Sequence, residues 1–372
     1  MRIALRELRR RPGRFLIAAG MLTLLVFLLL FLGGLLDGLY NGSTGALRAQ
    51  QGDLVVLSEE SRDSIIRSRI SPEQRTLVEQ VPGVDVVRGL GVALVGATIP
   101  GQDEAASAAV FGYEGGVDGV PLPPKADEAW VDRRLEADGV RVGQTIELGR
   151  SVPGASVPVK VRGFVRDTSY LLQGGVWVQP DTWREVQARN RPDQQLPPET
   201  FQSLLVTVAP GSTIADVQRG IARDTDGQLR ALTKQATIDA IPGVQSQQST
   251  FQAIIWVTLL VAAVVVALFF ALLTLERVAL YGVLKALGSS SRSLAGGLFT
   301  QAATTASLAF VVGAVLAFGL AAILPVGIPL QLLPGRAALT FVGVLVAALA
   351  GSAISLRRII RIDPATAIGG GA

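Results

Sequence analysis

Hydrophobic and polar positions follow two patterns in this chain. Four runs are apolar without a single charge: Phe15–Leu36, Ile254–Leu275, Ala295–Leu324 and Ala337–Leu356. About 20 residues at 1.5 Å rise cross a hydrocarbon core of about 30 Å, so each run predicts a transmembrane helix. Between the first and second runs the pattern changes to short alternations separated by Gly, Pro and polar turns. These predict strands at Asp53–Leu57, Val92–Ile99, Ala108–Tyr113, Val157–Val165, Val176–Gln179 and Leu204–Ala209. Helix starts are legible too. Ser71-Pro72-Glu73-Gln74 offers an N-cap, a proline at the first helical position and a capping-box partner, and Thr213 with Asp216 opens a helix to about Ala222.

The predicted fold class is therefore a membrane α-helical protein of four transmembrane helices, with an α+β extracytoplasmic domain inserted between helices 1 and 2. The boundaries are a short amphipathic helix over 1–14, a first span over 15–40, the inserted domain over 41–250 and a second span over 251–276. A connecting helix follows over 277–293, then spans over 294–324 and 336–357 flanking a short loop at 325–335, and a tail over 358–372. The segment from Thr213 to Ile241 is polar and helix-compatible, and is expected to form a stalk above the second span. The Pro/Gly-rich stretches Gly115–Pro124 and Arg191–Pro198 read as surface loops. An apolar run of 22 residues is too long for a cleaved leader, so the first span is expected to stay as an anchor.

Charge adds an orientation. Residues 1–14 hold six arginines and one glutamate, the loop 276–294 and the tail 357–372 each carry a net +2, and residues 37–253 hold 21 Lys/Arg against 27 Asp/Glu. Basic segments stay on the cytoplasmic side. Both termini and the 276–294 loop are expected there, with the large domain outside, in a multi-pass membrane protein. The basic residues are thereby explained by topology, and no nucleic-acid partner is expected. The chain has no cysteine and no histidine. That excludes thiol nucleophiles, Cys/His zinc sites and Ser-His-Asp triads, and no metal site is expected. A phosphate-binding loop needs a lysine after glycine. The four lysines, at 125, 160, 234 and 285, follow Pro, Val, Thr and Leu.

Few residues remain as candidates. Asp37 lies near the outer end of the first span and Glu276 at the inner end of the second. Either can snorkel to headgroups, or Asp37 can serve as a polar contact in a lateral substrate cleft and Glu276 can pair with Arg277. Tyr40 and Trp256 sit where amphipathic rings prefer the interface. Gly34 and Gly38, four apart, form a smooth helix face suited to close contact with a second copy. Thr300, Gln301, Thr304, Thr305 and Ser307 give the third span a polar stripe that reads as helix–helix glue.

The loop after the second span is the most specific feature. Val278 to Leu287 is a helix-forming run, Gly288 suits the left-handed position after a helix end, and Ser289–Ser291 can cap the next helix. A short apolar helix in the cytosol needs a docking partner. Val283-Leu-Lys-Ala-Leu-Gly-Ser-Ser resembles the signature of permeases in the macrolide-exporter, lipoprotein-release and FtsX group of ABC transporters. The basic start Arg2–Arg11, the ending Arg361-Ile-Asp363-Pro364-Ala365, and the external run Ala129-Trp-Val-Asp132 through Gly143–Leu148 to Val161–Val165 are similar to that group as well.

The resemblance implies a non-catalytic permease, working as a homodimer on a pair of separate ATPase subunits. ATP and Mg would be bound by those partners and no cofactor by this chain. Glu276, Arg277, Tyr281, Leu284, Lys285, Leu287 and Gly288 would form the ATPase-coupling helix, and ATP-driven closure would move the external domains. The length and external domain are similar to bacterial haem exporters and heterocyst-type permeases, which makes haem the leading expectation for a hydrophobic or amphipathic substrate, beside a lipid, a lipophilic drug or a peptide. The lack of His, with Met21 the only internal methionine, leaves Tyr40 and Asp37 as the candidate ligands near membrane level. The other reading is an FtsX-like regulator that transmits ATPase motion to an external cell-wall hydrolase.

Overall fold

A computed structural model describes residues 12–122, 125–149, 154–276, 290–324 and 328–360. The described chain divides into two compact units, residues 39–247 and the helical remainder on either side of them.

Unit 39–247 is built on nine strands. They are β1 (Leu54–Ser58), β2 (Val84–Thr98), β3 (Ala106–Tyr113), β4 (Glu128–Asp132), β5 (Thr145–Gly149), β6 (Ser156–Val165), β7 (Gly174–Val178), β8 (Ser203–Val208) and β9 (Leu229–Thr233). They form one sheet in the order β3-β7-β4-β6-β5-β2-β8-β1-β9, and β2 pairs with β3 as well, so six strands close on themselves. The 15-residue β2 makes this possible. Its first half pairs with β8 from Val84 to Leu90, its second half pairs with β3 from Leu90 to Ala97, and its end reaches β5. Closure leaves few free edges, and β8-β1-β9 extend the sheet beyond the ring.

Helices cover this sheet. In α2 (Pro72–Glu79) both capping-box bonds form: the Ser71 hydroxyl accepts from the Gln74 amide at 3.3 Å, and the Gln74 side chain accepts from the Ser71 amide at 3.0 Å. A one-turn α3 (Arg134–Ala137) follows β4, and α4 (Pro180–Asn190) follows β7. Trp183 of α4 is fully buried over β2 and β3. A Cβ at Gly91 or Gly112 would overlap its ring, so glycine lets both strands pass beneath it. In α5 (Ile214–Asp224) Thr213 caps the Asp216 amide as its sequence predicts.

Two sequence readings need correction. The segment 213–241 is no stalk: α5 is followed by β9, which pairs along β1, and by α6 (Lys234–Asp239). Leu229 is buried in β9 against β1, and Ile238 and Ile241 are buried in the core beneath the sheet, long-range contacts that helical periodicity does not reveal. β4, β5 and β9 escaped prediction as strands. Each has only five residues, too short to set a period, and in β4 the buried positions include the charged Glu128 and Asp132.

The remaining unit is four long helices. They are α1 (Pro12–Arg48, to Gly38), α7 (Val244–Glu276, from Gln248), α8 (Ser291–Ile323) and α9 (Pro334–Ile360), and all are long and apolar enough to cross a membrane. Leu22, Val26, Leu29 and Leu30 of α1 pack with Val266 of α7, with Leu298, Ala302, Ala306 and Ala309 of α8, and with Val344 and Ala348 of α9. The spacing of three and four keeps each set on one helix face, and the alanines let helices approach closely. The stretches 1–11, 277–289 and 361–372 lie outside the described residues, and with them the amphipathic start, the coupling helix and the tail.

Candidate functional site

The outer third of the α1 membrane stretch reads Gly33-Gly34-Leu-Leu-Asp37-Gly38. Gly33 and Asp37 lie one turn apart on one face, and Gly34 and Gly38 on the face beside it. Arg336, in the first turn of α9, lies across Gly33, where a Cβ would come within 2.8 Å of its Cδ. From there its guanidinium meets Asp37 in a two-point pair, Nε donating to Oδ2 and Nη2 to Oδ1, each at 2.6 Å. Asp37 is buried and Arg336 is half-buried. The charge-assisted two-point geometry is the strong form of this pairing. Among the described residues the third guanidinium nitrogen, Nη1, has no acceptor.

Gly34 and Gly38 take up the connection that leads into α9. A Cβ at Gly38 would overlap the Pro329 carbonyl, and one at Gly34 would sit 2.7 Å from Leu332 Cδ2. The Gln331 amide donates to the Gly34 carbonyl at 3.0 Å. Where the sequence suggested contact with a second copy, this glycine face is filled by the chain's own residues 329–332. The physical reason is the same close approach that glycine permits, satisfied within the chain.

The Asp37–Arg336 pair borders a cleft of about 630 Å³ between α1, α7 and α9. Its walls are apolar, with Leu29, Leu259, Leu339 and Trp256 among them, and its polar groups are few: Gln248, Gln252, Thr340 and Arg336. An apolar cleft with a few convergent polar groups is the usual form of a small-molecule site. Here it can take a hydrophobic body and meet one polar or anionic group. No lining residue is His, Cys, Met or Tyr.

The sequence candidates separate in space. Asp37 reaches this cleft only through Arg336, and Gly34 and Gly38 do not line it but face residues 329–332. Tyr40 belongs to the other unit, where the Arg48 guanidinium stands 5.7 Å over its ring and its carbonyl accepts from the Thr44 hydroxyl. Glu276 ends α7, and its side chain, with Arg277, Tyr281, Leu284, Lys285, Leu287 and Gly288, lies outside the described residues. In the stripe on α8, Thr300 and Thr304 bond back to Gly296 and Thr300 carbonyls, while Gln301 and Thr305 are buried. Sequence reading missed Arg336, which it placed at the start of a span and passed over. The available signal was complementarity: one lone base opening the fourth span, one lone acid closing the first.

Comparison with known proteins agrees with this organisation. The MacB-like periplasmic core domain matches residues 15–224, and the FtsX-like permease C-terminal domain matches residues 253–364. A Staphylococcus epidermidis protein, named as the permease HrtB of a hemin transport system, is 21% identical over 373 residues, covering 100% of both chains. An uncharacterized ABC transporter permease of Mycobacterium bovis is 28% identical over 380 residues, covering 99% of both. Among solved structures, the periplasmic region of MacB from Actinobacillus actinomycetemcomitans covers 53% of this chain and 96% of its own, at 10% identity and TM-score 0.36. The extracellular domain of the transporter YknZ covers 48% of this chain and 99% of its own, at 13% identity and TM-score 0.34.

Proposed function

The chain belongs to the FtsX- and MacB-like permeases of ABC transporters, and from that premise we propose that it is the membrane subunit of an exporter for a hydrophobic or amphipathic substrate. The family implies an ATPase partner. Two permease copies would sit on a pair of ATPases, with both termini in the cytoplasm and the 39–247 unit outside. Substrate would enter the cleft of α1, α7 and α9 sideways from the lipid, and ATP-driven motion of the helices would expel it. The observation that carries this reading is the cleft itself: an apolar chamber within the helical unit, bordered by a guanidinium already neutralised by Asp37.

Haem is the specific substrate proposed. Its ring matches the apolar walls, and the name of the Staphylococcus epidermidis relative refers to hemin. No lining side chain is a strong axial ligand, so the fit rests on apolar contact rather than coordination. The test is the permease reconstituted with its ATPase in lipid vesicles. Haem is expected to stimulate ATP turnover and to quench Trp256, with Trp256→Phe as the control. Haem that neither stimulates turnover nor quenches Trp256 rules haem out. Turnover unmoved by any of a panel of lipophilic dyes, lipids and peptides removes the export reading.

A further inference from the structure

Between β6 and β7 the chain makes a turn that its own sequence disfavours. Tyr170 and Gln173 exchange backbone hydrogen bonds, each amide donating to the other's carbonyl at 2.9 Å, which leaves Leu171 and Leu172 as a two-residue tip. Their φ angles are +50° and +65°. A tip with both φ angles positive is the hairpin turn that Asn-Gly fills best, and leucine tolerates it poorly. Asp167, in the same loop, has φ +56°. Such conformations persist only where the surroundings over-determine them.

Two sets of contacts do so. The first comes from β4. Asp132 is buried, and its Oδ2 accepts from the Thr168 amide at 2.8 Å and the Thr168 hydroxyl at 2.7 Å. Its Oδ1 accepts from the Ser169 hydroxyl at 3.3 Å and the Arg134 amide at 2.9 Å. Among the described residues no basic side chain pairs with this carboxylate, so its bonds go to placing the loop. The second set is on the last turns of α1, within the same unit. The Leu172 amide donates to the Gly42 carbonyl at 2.9 Å, the Leu171 amide to that of Ser43 at 3.2 Å, and the Ala46 amide to that of Ser169 at 3.0 Å. The helix is shaped to receive the loop. A Cβ at Gly45 would come within 2.5 Å of the Asp167 carbonyl, and one at Gly42 within 2.9 Å of Leu172 Cδ2.

We propose that loop 167–173 is the joint that fastens the end of α1 to the external sheet, that Asp132 is its positioning residue, and that motion of α1 reaches the sheet through it. This rests on the exporter reading above. Leucines occupy the turn because the tip must fill the helix groove, and that outweighs turning easily. The joint is directional: three backbone hydrogen bonds fix both the height and the rotation of α1 against the loop, which apolar packing alone leaves free to slide.

The test uses the full chain with its ATPase in lipid nanodiscs, comparing wild type, Leu171→Asn with Leu172→Gly, and Asp132→Asn by hydrogen exchange. The Asn-Gly variant suits the turn better than the native pair, so loss of folding is not its expected defect. Its melting temperature should equal or exceed that of wild type. Exchange of the 42–46 amides should rise about 10-fold or more, because without leucine side chains in the helix groove the loop's backbone bonds to α1 open without the domain opening. ATP with vanadate should change exchange in β6 and β7 of wild type but not of the variant. Asp132→Asn should shift both readouts in the same direction. A variant that keeps 42–46 protected, or that still relays the nucleotide response, overturns the inference. A wild type whose domain ignores nucleotide sinks the exporter reading instead, and protection of 42–46 then still decides the joint.

Discussion

At the scale of residues, the Asp37–Arg336 pair is the main lesson. Each charge is unremarkable by sequence position, since Asp37 ends an apolar run and Arg336 precedes one. Together they are a pair, because a lone acid and a lone base in neighbouring membrane helices leave little alternative to meeting. Asp37→Asn or Arg336→Gln alone leaves a charge with no partner and should cost about 2–4 kcal/mol, below the fully buried figure because Arg336 is partly exposed. The double variant should recover about 1–2 kcal/mol of the summed loss. Denaturation of the four detergent-solubilised proteins gives the cycle, and strict additivity would mean the pair contributes nothing. Gly38 offers a second test. Gly38→Ala forces a methyl into the Pro329 carbonyl and should destabilise the monomer by about 1–3 kcal/mol. Gly296→Ala, which meets nothing within 4 Å, should be neutral or stabilising by up to about 1 kcal/mol. If Gly38→Ala instead leaves the monomer intact and lowers only dimerisation, the glycine face serves a second copy.

At the scale of elements, what was legible was what is local. Ser71 and Thr213 each announce a helix through side chains three residues apart, and both caps form as read. The strands read from alternation, such as Ala108–Tyr113 and Leu204–Ala209, lie within a residue or two of β3 and β8. What was hidden depends on distant partners. β9 is a strand because β1 lies beside it, and the Leu171-Leu172 tip turns because α1 and Asp132 hold it. That tip also carries a pH signature. Tyr170 lies in the cluster of Phe111 and Trp177, and burial pushes its phenol up to about 12. Burial of Tyr113 acts in the same direction. An unfolded phenol ionises near about 10, so the folded form keeps its proton after the unfolded form has lost it. The contribution is intact below about pH 10 and disappears as pH climbs toward about 12. Wild type should therefore lose on the order of 2 kcal/mol more than Tyr170→Phe between about pH 9 and about pH 12, read from urea midpoints. Equal losses would mean that the Tyr170 hydroxyl is open to water.

At the scale of the whole molecule, the division of the chain was the easiest thing to read and its coupling the hardest. Uncharged runs of 20 residues and more have one physical use, so four spans and an inserted domain followed from hydropathy alone. The cleft did not, because it needs three helices from opposite ends of the sequence to converge. The proposal of a force-transmitting subunit rests on the loop after α7, where the sequence predicts a helix over Val278–Leu287 that stops at Gly288 and Ser289–Ser291. An apolar helix of about three turns is marginal alone in water, so its leucines need a groove to occupy. Leu284→Asp puts a carboxylate into that groove without a partner, which costs several kcal/mol of binding where no cation can answer it. Expression and membrane insertion should be unchanged, since the substitution lies outside every span. Copurification of the ATPase through a tag on this chain should fall at least about tenfold, the equivalent of about 1.4 kcal/mol. Lys285→Glu, a change of charge at the neighbouring position that leaves the apolar face of the run intact, should weaken copurification less. If Leu284→Asp brings down the ATPase as well as wild type does, the loop after α7 is not the proposed grip and the coupling proposal fails at that segment.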